Sequence, residues 1–385
     1  MHSQERTLFI FSDMETPTVA QVLKIIEGLA PTEAALPEDP VGLQCGNPER
    51  PAGKVMVALD ANGTTIKQAL AAGAGLLVTH HPLLFESLGP RNMRTPTGDA
   101  FTKAVQGGLA VYSAHTNLDA SPHGINAALA DIVDLREREI LAPTGPASFK
   151  VVIFAPKASL GPIRKAVFQA GGGRIGPYSE CSFAVSGEGT FLGDETARPA
   201  AGSPGRRESV SEIRLEVVAP EGNLAGLLEA VRKVHPYETP VMDVFPLKGK
   251  APGVGIGITG LLPSAGTVGD IALRVKKALH LKAARVVGRP GRKVRRVAIC
   301  GGSGGSLVPA AWSSGAQLYI SGDIKFHEAR SAEEHNLSIL DVGHFAPERF
   351  GMLRFGEKIH QQCVENGWNV TILYAAEKDP FTAMI

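Results

Sequence analysis

Thr79-His80-His81 closes an apolar run, Gly75-Leu76-Leu77-Val78. An imidazole placed there loses free energy unless it finds a partner, whereas a metal ion at a strand end uses neutral ring nitrogens directly. Two other segments repeat the pattern. Ala110-Val111-Tyr112-Ser113-Ala114 runs into His115-Thr116-Asn117-Leu118-Asp119, and Leu337 to Gly343 runs into His344-Phe345-Ala346-Pro347-Glu348. The set His80, His81, Asp119, His344 and Glu348 is too small for two closed structural sites of four ligands each. It suits two metal ions that share a carboxylate and a water and keep open positions. Such sharing lowers the pKa of the water, the basis of hydrolysis near neutral pH. Mixed nitrogen and oxygen donors fit Zn, Fe, Mn or Co without choosing among them.

Each motif alone also has a plainer reading. His-His followed by Pro82 fits a solvated turn, and His344 with Glu348 fits an ordinary helix-surface pair. His115 fits a hydrogen bond to a carbonyl, or orientation of Asp119, better than direct ligation. Three such motifs at strand ends are harder to dismiss, and together they point to a metal site.

To converge, the motifs need particular elements beneath them. Neighbouring residues of a strand face opposite sides, so His80 and His81 meet only where the strand is ending, and Pro82 restricts His81. Pro347 suits the first residue of a helix, which places Glu348 in the first turn beside free N–H groups. Upstream, Val19, Val22, Leu23, Ile26 and Leu29 share a helical face. Strands at Val55–Leu59, Gly75–Thr79 and Ala110–Ala114 alternate with helices at Thr64–Ala72, Gly98–Gln106 and Gly124–Asp131. The last third repeats this rhythm: helix Thr267–Leu279, strands Arg296–Cys300, Gln317–Ile320 and Ser338–Val342, helix Pro347–Glu365, and strand Val370–Leu373. Alternation of this kind predicts an α/β fold with mixed, mainly parallel sheets, whose ligands collect outside the carboxyl ends of the strands.

The middle third reads differently. Strand Val151–Ala155, helix Leu160–Gln169, a turn-rich Gly187–Asp194, an exposed loop Ala197–Arg207, strand Ile213–Val218, helix Leu224–Val234 and strand Val241–Phe245 fit a β-α-β-β-α-β, ferredoxin-like α+β unit. The predicted organisation is a leader at 1–16, a discontinuous metal-binding α/β domain at 17–147 and 251–385, and an inserted domain at 148–250.

The bulk numbers agree with a globular chain. It has 385 residues, 44% hydrophobic and 20% charged, with a net charge of +1, so nothing in the total points to nucleic acid or an anionic membrane. Four widely spaced cysteines without a CxxC suit a reducing, cytoplasmic compartment. No run approaches the roughly 20 apolar residues that span a bilayer.

With Thr79-His80-His81-Pro82-Leu83, Ser113 to Asp119, Ser321-Gly322-Asp323-Ile324-Lys325-Phe326-His327-Glu328-Ala329 and Gly343 to Glu348 in order, the chain resembles the Nif-three-like proteins. These are also called GTP cyclohydrolase 1 type 2 homologues or dinuclear metal centre hexameric proteins. Asp39-Pro40-Val41-Gly42-Leu43-Gln44-Cys45-Gly46 is similar to an early motif of that family, with Pro40 in place of the usual Asn. The resemblance implies metal ligation by His80, His81, Asp119, His344 and Glu348, and a toroidal homohexamer, a trimer of dimers, with sites facing an internal cavity. It also implies a PII-like or CutA-like insert, which Gly176 to Phe183 and His235-Pro236-Tyr237-Glu238-Thr239-Pro240 resemble.

The implied activity is hydrolytic opening of the purine five-membered ring of GTP, with His115 or His327 as proton shuttle and Lys325 as a phosphate contact. For His327 a structural hydrogen bond, and for Lys325 a solvated surface lysine, are the plainer readings. Phosphate-ester hydrolysis by the same ions is a related alternative. A non-catalytic metal-binding hexamer acting as scaffold or regulator is the competing class. Gly301-Gly302-Ser303-Gly304-Gly305 lacks the Gly-Lys-Ser/Thr of a P-loop and has the wrong spacing for a dinucleotide fingerprint; it reads as a tight turn needing positive φ. Tyr374-Ala375-Ala376-Glu377-Lys378 reads as closing the sheet edge.

Overall fold

The computed structural model describes residues 15–85, 95–144, 147–176, 178–250 and 254–381. The chain divides into two compact units, Met1–Ala142 with Val254–Ile385, and Pro143–Gly253. Residues 1–14 of the expected leader lie outside the described residues. At its end, Glu15 bridges to Trp368, and the Asn369 N–H donates to the Glu15 carbonyl at 2.9 Å.

The first unit opens with α1 (Val19–Leu29), β1 (Gly42–Cys45), β2 (Lys54–Asp60), α2 (Gly63–Ala71), β3 (Leu76–His81), α3 (Pro96–Gln106) and β4 (Ala110–Ser113). A short α4 (Thr116–Asp119), α5 (Ile125–Ile132) and β5 (Arg136–Pro143) follow. The second unit holds β6 (Ala147–Ala155), α6 (Leu160–Gln169), β7 (Phe183–Leu192), β8 (Arg207–Pro220), α7 (Glu221–Val234) and β9 (Met242–Lys250). The chain then returns to the first unit through β10 (Gly255–Thr267), α8 (Val268–Ala278), β11 (Arg285–Val287), β12 (Lys293–Ser303), α9 (Val308–Ser313) and β13 (Leu318–Gly322). It closes with α10 (Phe326–Glu334), β14 (Ser338–Asp341), α11 (Phe345–Glu365) and β15 (Thr371–Tyr374).

Two mixed sheets build the first unit, in the orders β1-β4-β3-β2-β15 and β11-β14-β13-β12-β10-β5. In the first sheet only the β1–β4 pair is antiparallel. The second is less parallel than its βα rhythm predicts. β12–β13 and β13–β14 are parallel, but β10–β12 and β11–β14 run antiparallel. β1, β5, β10 and β11 carry no clean alternation or long apolar run, and the sequence reading passed over them.

Strand period explains the layers. Val55, Val57 and Leu59 point to one core while Met56 and Ala58 point to another. On the second sheet Val297 and Ile299 join the first of these cores, and Ala298 and Cys300 face a third. The core common to both sheets takes in α1, α5 and α11 through Val22, Ile26, Ile125, Leu129, Met352, Phe355 and Ile359. Both sheets are therefore covered, as parallel strands require, and their carboxyl ends are left to carry side chains.

The second unit is a four-stranded antiparallel sheet, β7-β8-β6-β9, with α6 and α7 packed on it through Ile163, Val167, Leu227 and Val231. Gly187–Asp194 is not a turn-rich segment. Gly187 and Gly189 lie inside β7, where ten consecutive residues pair with β8.

Candidate metal centre

His80 and His81 end β3, His115 caps α4, Asp119 closes it, and His344 caps α11 with Glu348 in its first turn. Pro347 is the third residue of that helix, not the first; its missing N–H costs nothing there, because the first turn has no internal acceptor. The His344 side chain makes no capping bond and is free for other contacts. β3 continues through His81, beyond the predicted end, and the two rings still meet, with centroids 5.1 Å apart. Thr79 Oγ1 donates to the His81 carbonyl at 2.9 Å, a local closure at the strand end.

The structure gathers the imidazoles from both ends of the chain. Ring centroids lie 5.0 Å apart for His80–His115, 5.7 Å for His81–His115 and 5.5 Å for His81–His344. Glu348 reaches both sides. Its Oε1 is 3.7 Å from His80 Nε2, and its Oε2 is 3.3 Å from His81 Nε2 and 3.0 Å from His344 Nε2. Asp119 Oδ1 stands 3.9 Å from His80 Nε2. Among the described residues two groups could hold a metal ion: His80, His81 and His115, and His81, His344 and Glu348.

Every ring is anchored through its other nitrogen. Nδ1 of His80 lies 2.9 Å from the Ala114 carbonyl, that of His81 2.8 Å from Asp60, that of His115 2.8 Å from Asp39, and that of His344 2.8 Å from Asp323. These partners only accept, so Nδ1 carries the proton and Nε2 of a neutral ring is a lone pair. Carboxylates behind imidazoles also raise ligand basicity and fix ring orientation. His115 is held in the same way as the other three, and its ring stands among theirs. The Asp119 backbone is fixed instead by Asn126, whose Nδ2 donates to the Asp119 carbonyl and whose Oδ1 accepts from the Gly301 N–H.

The donor set fits a cation on an internal test. Glu348 is 4% exposed, and its Oε2 has no hydrogen bond of acceptable geometry despite the two imidazoles beside it. Lone pairs on His81 and His344 would face a buried carboxylate, which is repulsive unless protons or a metal ion lie between. Without metal, protons take that place. Burial works against charge on His81, but Asp60 and Glu348 outweigh it and raise its pKa to about 10. Glu348 raises His344 to about 9 against the effect of burial. Burial acts to raise the Glu348 carboxyl, but His344 and His81 hold it far below the usual range. Burial keeps His80 at about 4, and burial with Glu348 nearby pushes Asp119 well above the usual carboxylate value.

The glycine-rich segment serves Glu348. Gly302 has φ +65°, and a Cβ there would sit 2.0 Å from Glu348 Oε1. The segment is not the tight turn expected: Gly301 to Ser303 continue β12, with a register shift against β13; the positive φ is present at Gly302, and the space it leaves is occupied by the carboxylate. His327 joins neither ligand group; it is exposed in the first turn of α10, with its ring 5.5 Å from that of Phe326. Sequence reasoning passed over Asp60 and Asp323 and gave Asp39 no role. Asp60 and Asp323 both follow a predicted strand, so an acid at that point was the available signal.

Comparison with known proteins shows the family of the chain. The profile of the Duf34/NIF3 (NGG1p interacting factor 3) family matches residues 17–380. A Bacillus subtilis protein named GTP cyclohydrolase 1 type 2 homolog is 35% identical over 366 residues, 94% of this chain and 97% of that one. A Mycobacterium tuberculosis protein of the same name is 38% identical over 338 residues, 86% of this chain and 88% of its own. Among solved structures, a Bacillus cereus protein related to NIF3 superposes with a TM-score of 0.65 at 34% identity, covering 96% of this chain and all of that one. Staphylococcus aureus SA1388 gives 0.70 at 26% identity, with 97% and 100% covered. The chain belongs to the Duf34/NIF3 family.

Proposed function

We propose that this protein is a dinuclear metal-dependent hydrolase of the GTP cyclohydrolase 1 type 2 kind, acting on GTP or a related nucleotide. The observation that carries the reading is Glu348, buried between His80 on one side and His81 with His344 on the other. His80, His115 and Asp119 would hold one divalent ion, His81 and His344 a second, with Glu348 shared. Bound there, such ions would supply Lewis acidity and activated water at neutral pH. Asp39, Asp60 and Asp323 keep the ring nitrogens aimed inward. His115 serves as ligand in this reading.

A cavity of about 330 Å³ opens onto His81 and His344 and is lined by Asp60, Asn62, Pro82 and Phe85, within the size range of small-molecule sites. Phe85 is 61% exposed, with its ring 5.8 Å from that of His115; it offers a flat apolar face suited to a purine. The relatives named above support GTP as the first substrate to test.

The proposal includes a homohexamer and a PII/CutA-like role for the second unit. Its β-α-β-β-α-β order and antiparallel sheet support the latter. Exposed Phe183, Val185 and Leu192 along the outer strand β7 support assembly, since such edges invite pairing. Among the described residues no helix is long and apolar enough to cross a membrane.

Incubation of metal-loaded protein with GTP tests the activity. Metal-dependent formate release is expected, abolished by Asp119→Ala with the elution volume unchanged. If neither GTP nor phosphate esters are turned over, the exposed apolar edge favours a non-catalytic assembling protein.

A further inference from the structure

The C-terminal segment does more than end the first sheet. β15 pairs in parallel with β2 as far as Tyr374 opposite Val57, and the Ala375 N–H still donates to the Val57 carbonyl at 3.0 Å. Beyond that point the strands part, and the last two N–H groups of β2 lose their backbone acceptors. Glu377 supplies the replacement. Its Oε2 accepts from the Leu59 N–H at 2.8 Å and its Oε1 from the Asp60 N–H at 3.0 Å. The side chain is 7% exposed, and the only cation that pairs with it among the described residues is Arg349, at 3.7 Å. Gln68 on α2 pins the approach: its Oε1 accepts from the Ala376 N–H at 2.8 Å, and its Nε2 donates to the Ala376 carbonyl at 3.1 Å.

Both ends of this clamp reach the metal centre. Asp60 accepts from His81 Nδ1, and Arg349 follows Glu348 on α11 and also donates to the Ala375 carbonyl at 3.4 Å. A buried carboxylate bonded to two main-chain N–H groups is an expensive feature at a strand end. We propose that Glu377 is a positioning residue for the metal centre: it fixes the end of β2 that carries Asp60, and through Asp60 the ring of His81. The inference rests on the metal-centre reading.

The test titrates the full-length, metal-free protein with Zn(II) in competition with a chromophoric chelator. Wild type, Glu377→Ala, Glu377→Gln and the tail control Asp379→Ala are compared, with Co(II) absorption as a readout of ligand geometry. Glu377→Ala is expected to weaken one of two binding steps about tenfold, the size seen for other supporting partners of metal ligands, and to alter the Co(II) spectrum. Glu377→Gln keeps one acceptor oxygen but turns an NH₂ toward the other N–H, so a smaller loss in the same step is expected. Asp379→Ala should match wild type. Should Glu377→Ala fail to fold by circular dichroism, Glu377→Gln decides. Unchanged binding in a folded variant, or equal weakening of both steps, overturns the proposal. Wild-type protein that takes up no zinc would instead refute the metal-centre reading.

Discussion

Replacing Glu348 with Gln removes one negative charge and changes the shape of the site little. In the structure its oxygens stand 3.0–3.7 Å from three imidazole nitrogens, so an ion among them would lie about as near. Unit charges about 4 Å apart at an effective dielectric near 20 interact by about 4 kcal/mol, and a divalent ion doubles this to about 8 kcal/mol, close to a millionfold in affinity. Gln keeps a carbonyl oxygen as donor, so the expected loss lies between about tenfold and that ceiling, and it falls on both binding steps. A second effect accompanies it. The high pKa values of His81 and His344, about 10 and about 9, depend on Glu348. Without that charge both rings release their protons more readily, and the pH dependence of metal uptake flattens. The assay is chelator competition at several pH values, with Glu357→Gln, an exposed position on the same helix, as control. Loss confined to one step, or a pH slope unchanged from wild type, would refute a shared Glu348.

Metal uptake by the wild-type protein should strengthen with pH. His81 and His344 are raised above 6.5 in the metal-free fold, so binding releases their protons, and affinity gains up to about tenfold per pH unit for each proton displaced until pH 9–10; calorimetry in buffers of different ionisation enthalpy counts them. The same shifts stabilise the metal-free fold fully below about pH 6.5, and that contribution is lost as pH rises through 9–10; the thermal midpoint should fall over that window without metal and hold with it. Gly302→Ala places a Cβ against Glu348 at φ +65°, costing about 1–2 kcal/mol for the backbone alone and displacing the carboxylate; thermal unfolding and metal content should fall together. Phe85→Ala should weaken GTP binding about fivefold, from roughly 1 kcal/mol of lost stacking, and leave tripolyphosphate binding unchanged in titration calorimetry.

Much of this site could be read before any coordinates. Apolar runs ending in His80-His81, His115 and His344 become strand ends because continuous Val, Leu and Ile stretches are buried on both faces of a sheet. Helical spacing alone gave α1 its observed limits, Val19–Leu29. What stayed hidden depends on partners distant in sequence. Asp60 and Asp323 are ordinary acids until β3 and α11 bring His81 and His344 beside them. His115 reads locally as support for Asp119 because the acceptor that orients its ring, Asp39, lies 76 residues away. β7 hid behind Gly187 and Gly189, whose local preference for turns is overridden by ten cross-strand pairs. β10 and β11 pair antiparallel in a sheet whose βα rhythm signals parallel neighbours, and no local pattern announces that change of direction.

Anomalous scattering from crystals of the protein loaded with Zn(II) or Mn(II) addresses the two-ion centre most directly. Two peaks per chain are expected, one within coordination distance of His80 and Asp119, the other of His81 and His344, both touching Glu348. A single peak, or none at these residues, would contradict it.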